Sequence, residues 1–113
     1  MPDKSSSSVK VFWPRHSTAE VVGLLRAKLP EIEALTPVKV FALFGSYARG
    51  NYTVASDIDV LLVYAGPTIK DAYLKIRPIL NIPGIELHLY SEEEYQSLRP
   101  VIDRMLKDSI AIP

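Results

Sequence analysis

Apolar positions along the chain follow two periods. Val21, Leu24, Leu25, Leu29, Ile32 and Leu35 recur at helical spacing, which predicts an amphipathic helix with one stripe facing a core. Ser17 with Glu20 fits a capping box at its start, each side chain satisfying a backbone N–H. Pro30 has no N–H to give, so a kink or restart is expected there. The run Val38–Phe44, VKVFALF, is nearly all apolar and predicts a strand buried on both faces. Gly45–Gly50 reads as a tight turn or short helix and residues 51–56 as a polar loop. A second strand follows over Asp57–Tyr64, DIDVLLVY, ended by Gly66-Pro67. Ile69, Ala72, Tyr73, Ile76 and Leu80 predict a second long helix over Thr68–Leu80, with Thr68 and Asp71 as caps and its last turn interrupted by Pro78. After a turn at Pro83-Gly84, Ile85–Tyr90 alternates with period two, as a half-buried strand does. Ser91 and Glu94 form a second capping box, opening a helix that carries Tyr95, Leu98, Ile102, Met105 and Leu106 and divides at Pro100.

The order helix, strand, strand, helix, strand, helix predicts an α/β (α+β) chain: a small mixed sheet of three to four strands with helices packed against it. Four consecutive serines predict a mobile tail over residues 1–8, with nothing to bury. Val9–Trp13 reads as a short strand or an apolar lead-in, stopped by Pro14. Residues 9–113 then form one domain, long enough for one core and too short for a separate substrate domain.

Composition narrows the function. The chain is 48% hydrophobic and 23% charged, ordinary for a globular protein. Thirteen basic residues balance thirteen acidic ones, which disfavours nucleic acid as the main partner, since phosphate binding calls for a basic surface. The absence of cysteine excludes disulfides, thiolate nucleophiles and Cys-ligated zinc. No apolar stretch has the length of a signal peptide or a membrane span, so a cytoplasmic protein away from membranes is expected.

The chemistry concentrates in residues 45–63, GSYARGNYTVASDIDVLLV. Asp57 and Asp59 lie two apart and share one face of a strand. Aspartate is a poor strand former and two like charges repel, so a pair leading into an apolar strand wants a cation. Carboxylate oxygens suit magnesium, which takes substrate phosphates as further ligands. A bare Asp-x-Asp is also common at solvated strand ends. Gly45-Ser46, directly after a buried strand, permits close approach of a phosphate to the backbone, and a helix beginning at Ser46 would favour an anion. The turn lacks the Walker pattern of a phosphate-binding loop.

The two halves together resemble the signature of the polymerase-beta-like nucleotidyltransferases: Gly-Ser, ten residues, then Asp-x-Asp. The match is best to the minimal nucleotidyltransferases, through Gly45, Ser46, Ala48, Arg49, Gly50, Ser56, Asp57, Ile58 and Asp59. The resemblance implies a nucleotidyltransferase fold and transfer of a nucleoside monophosphate, AMP from ATP, to a hydroxyl. It implies that Gly45, Ser46, Arg49 and Ser56 bind the nucleotide, and that Asp57 and Asp59 hold two Mg2+ ions. A third carboxylate is usual on a later strand, where this family more often has aspartate. Glu86 is the candidate, as a metal ligand and as general base, since it shares one face of IELHLY with His88 and Tyr90. His88 reads as a surface or supporting residue. The resemblance further implies a HEPN-domain protein as partner in a toxin–antitoxin pair, with a partner tyrosine as one acceptor. The rival reading is a non-catalytic module that neutralises its partner by contact. A homo-oligomer is compatible with either.

Overall fold

The computed structural model describes residues 16–113. The expected tail over residues 1–8 and the strand-like segment Val9–Trp13 lie outside the described residues. The elements are α1 (Thr18–Glu33), β1 (Val38–Phe44), α2 (Ser46–Arg49), β2 (Ile58–Tyr64), α3 (Ala72–Ile76), β3 (Ile85–Ser91), α4 (Glu92–Ser97), α5 (Arg99–Met105) and β4 (Ile110–Ala111). They build a four-stranded mixed sheet in the order β3-β2-β1-β4. β2 runs antiparallel to β1 and parallel to β3, and β4 closes the other edge antiparallel to β1. The parallel step from β2 to β3 requires a crossover, and α3 lies within it.

β2 is an interior strand, and its sequence permits this. Ile58, Val60, Leu62 and Tyr64 project into the main core, where they join Val21, Leu25 and Ile32 of α1 and Ala72 and Ile76 of α3. Each such aliphatic side chain contributes roughly 1.5–3 kcal/mol by leaving water. The alternate residues Asp59, Leu61 and Val63 face the other side, and Leu61 and Val63 are also fully buried. Asp59 therefore sits at the end of a dry strip.

Both capping boxes are present, Ser17 with Glu20 on α1 and Ser91 with Glu94 on α4. Four expectations change. Helix α1 reads through Pro30 to Glu33 without restart. Pro30 and Arg26 are both exposed, so the carbonyl that loses its partner can be hydrated. The second long helix shrinks to Ala72–Ile76. The groups expected to begin it are taken by tertiary bonds: the Thr68 hydroxyl lies 3.0 Å from the Ser91 hydroxyl, and the Ile69 N–H donates to the Tyr64 hydroxyl at 2.9 Å. Asp71, a proposed cap, is left-handed with φ 59° and makes no side-chain cap. β1 is fully buried only over Phe41–Leu43, while Lys39 is exposed and pairs with Glu92 at 3.6 Å. β4, two residues long, shows no sequence periodicity and exists only through its pairing with Ala42 and Leu43. As expected, the last helix is divided, with α5 beginning at Arg99-Pro100. Among the described residues no helix is long and apolar enough to cross a membrane.

Candidate active site

Register brings the candidate residues together. Asp59 on β2 is flanked by Phe44 on antiparallel β1 and by Glu86 on parallel β3. Glu86, His88 and Tyr90 share the β3 face that continues the Asp59 face, because side chains alternate along both strands and Asp59 and Glu86 are direct partners. One ligand atom each of Asp59, Glu86 and His88 lies within 4.8 Å of the other two. The strand begins at Ile58, so Asp57 precedes it and is exposed. Asp57 is outside this three-residue group, though its charge still acts on Asp59.

The Gly45-Ser46 turn meets the same carboxylate. Gly45 adopts φ 76°, ψ −155°, which side-chain-bearing residues rarely adopt. A Cβ there would overlap the Asp59 carboxylate. Strand β1 thus delivers the turn directly onto Asp59, and only glycine fits. Ser46 opens the one-turn helix α2, which closes through the Arg49 N–H to the Gly45 carbonyl at 3.1 Å. The Thr18 hydroxyl donates to the Tyr47 carbonyl at 2.7 Å and ties α2 to the start of α1. Tyr47 is buried and stacks on Tyr52, centroids 4.1 Å apart and ring planes nearly parallel, so the two rings satisfy each other.

The remaining nucleotide-binding candidates are placed differently. Arg49 is exposed at the end of α2 and pairs with no carboxylate among the described residues. The Ser56 hydroxyl accepts from the Thr53 N–H at 2.9 Å within its own loop. Ser56 also lines a cavity of about 320 Å³ with His16, Tyr47, Val54, Ile58, Pro83 and Gly84. Ile58 points away from the Asp59 face, so this cavity lies apart from the carboxylate group.

Electrostatics mark the group as one that accepts positive charge. Burial first, then the Glu86 carboxylate, hold the Asp59 carboxyl above its ordinary range. His88 partly offsets this and Asp57 adds to it. The His88 Nε2 lies 3.7 Å from Asp59 Oδ1, beyond hydrogen-bond reach, and is buried without a hydrogen-bond partner among the described residues. Phe44 meets the imidazole edge-on, centroids 5.0 Å apart. Two repelling carboxylates and an unpartnered imidazole nitrogen are donors that fit a divalent cation. His88 was the residue least legible in sequence. Its signal was its place on the Glu86 face, but only strand register shows that this face adjoins Asp59.

Comparison with known proteins agrees with this geometry. Residues 25–112 match the family model described as a nucleotidyltransferase domain. Two proteins of Methanocaldococcus jannaschii, each named "Putative protein adenylyltransferase", are similar. One is 43% identical over 95 residues, covering 84% of this chain and 83% of its own. The other is 26% identical over 95 residues, covering 81% and 93%. A crystal structure of "a putative nucleotidyltransferase" from Sulfolobus solfataricus superposes with a TM-score of 0.60 over 83% of this chain and 80% of that one, at 23% identity, and so shares the fold. With a family match across most of its length, and a glycine turn seated on an interior-strand carboxylate, this chain belongs to the nucleotidyltransferase-domain family.

Proposed function

We propose that the protein moves AMP from ATP onto a hydroxyl of a partner protein, assisted by two Mg2+ ions. The observation that carries this reading is the convergence of Asp59, Glu86 and the Gly45-Ser46 turn at one end of the sheet. The names of the M. jannaschii relatives favour adenylyl transfer to protein. The resemblance to minimal nucleotidyltransferases favours a HEPN-domain protein as that partner.

Each residue has a task. Gly45 leaves the backbone open to a phosphate and Ser46 offers a hydroxyl to it. Asp57, Asp59 and Glu86 hold the cations, which when bound neutralise phosphate charge and acidify the attacking hydroxyl. Glu86 is exposed and accepts the proton of the incoming hydroxyl. The hydroxyl oxygen bonds to the α-phosphorus, the bond from that phosphorus to the bridging oxygen breaks, and pyrophosphate leaves. Arg49, exposed beside the turn, supports a phosphate.

The test is incubation with α-labelled ATP, Mg2+ and candidate partner proteins. Label should move to the partner and fail to move with the Asp57→Asn/Asp59→Asn variant. Partner neutralisation that survives this double change with no label transferred would overturn the enzymatic reading.

A further inference from the structure

We infer that His88 is a metal ligand, so that the position shared by Asp59, Glu86 and His88 selects a cation that accepts nitrogen, of the Mn2+ kind, over Mg2+. The inference rests on the metal-dependent reading above and replaces Mg2+ at one of its two cation positions.

A neutral histidine offers one lone pair at the nitrogen that carries no hydrogen. Nε2 of His88 is out of contact with solvent and bonds to nothing among the described residues. Leaving a buried polar nitrogen unpaired forfeits its hydration with nothing in return, so such an atom calls for a partner. The nearest acid, Asp59, is too far for a hydrogen bond at 3.7 Å. That separation still lets both atoms reach a common ion, because donors each about 2.0–2.2 Å from one cation stand at most about 4.4 Å apart. The third donor, from Glu86, completes a group within 4.8 Å. Phe44 packs its ring against the imidazole and restricts its rotation.

The donor set then decides the ion. Mg2+ demands oxygen ligands and dehydrates reluctantly. Imidazole suits the first-row transition metals, and carboxylates suit Mn2+ as well as Mg2+. Two carboxylates with one imidazole therefore discriminate in favour of Mn2+, while Asp57, outside the group, remains available for an all-oxygen position.

The experiment is calorimetric titration of the full chain with MnCl2 and with MgCl2, for wild type, His88→Leu, His88→Gln and Asp59→Asn, with circular dichroism to confirm folding. Pulsed electron paramagnetic resonance of the Mn2+ form reads directly bonded 14N. Wild type should show 14N coupling. His88→Leu should lose it and weaken Mn2+ by about tenfold or more with little change for Mg2+. His88→Gln, which offers an oxygen, should recover affinity without the coupling. Absence of 14N coupling in wild type, or equal effects of His88→Leu on both ions while Asp59→Asn abolishes binding, would overturn the role of His88 and leave the carboxylate site standing. Metal binding untouched by Asp59→Asn would overturn the site itself, and this inference with it.

Discussion

At the scale of single residues, the site depends on one glycine and one half-buried carboxylate. Gly45 combines a positive φ with a position where a side chain meets Asp59. Gly45→Ala is therefore expected to cost about 1–3 kcal/mol in backbone strain and to displace the Asp59 carboxylate. Thermal melting should show the first, and nucleotidyl transfer should fall more steeply than the folded fraction. Asp59 gives a prediction with a definite sign. Its carboxyl is held above the ordinary range, first by burial and then by Glu86. A group raised in this way favours the folded state while it is protonated. That contribution is complete below the ordinary aspartate range and is lost as pH rises through the folded value. In metal-free buffer, Asp59→Asn should be more stable than wild type at neutral pH, and the difference should vanish in acid. Urea unfolding at both pH values measures it; a difference that persists unchanged in acid contradicts the electrostatic cause.

At the scale of elements, the corner between β3 and α4 fixes where Glu86 and His88 stand. Ser91 ends β3 and caps α4, accepting from the Glu94 N–H at 3.0 Å, while the Glu94 carboxylate accepts from the Ser91 N–H at 2.8 Å. Ser91 is fully buried and also meets Thr68. The equivalent box at Ser17 is exposed and local. Ser91→Ala should thus cost about 1–2 kcal/mol, near the upper end for caps, and Ser17→Ala about 0.5–1. Equal costs in denaturant titrations would show that the Thr68 contact adds nothing. Helix α3 shows the reverse case, in which local signals lose. The helical stripe of residues 69–80 was legible, but Tyr64 and Ser91 take up the polar groups of Ile69 and Thr68, and helix forms only over five residues.

At the scale of the molecule, two faces of one sheet do different work. The face bearing Ile58, Val60, Leu62 and Tyr64 packs on α1 and α3, and the other carries the candidate site at its end. Leu62→Ala should cost about 2–5 kcal/mol through the cavity it leaves. Leu74, 71% exposed on α3, can be truncated with changes within about 0.5 kcal/mol. Both variants should keep their transfer rate per folded molecule, since neither side chain reaches the Asp59 face. A rate loss in folded Leu62→Ala would show that the two faces are coupled through β2.

The sequence by itself determined the local features of this protein. Gly-Ser, ten residues and Asp-x-Asp sit on a strand–turn–loop–strand whose identities follow from period and turn chemistry, and both capping boxes are contiguous signals. Local order and the glycine turn depend on neighbours along the chain, so they are written there. Tertiary structure alone decided which strands are neighbours. The pairing of Asp59 with Glu86, the inclusion of His88, the exclusion of Asp57 from their group and the formation of β4 all follow from register across the sheet. A one-residue slip of β3 would turn Glu86 and His88 to the opposite face while leaving every local pattern intact. Register is set by burying Ile85 and Leu87 with α1 and α3, a condition imposed by residues distant in the chain.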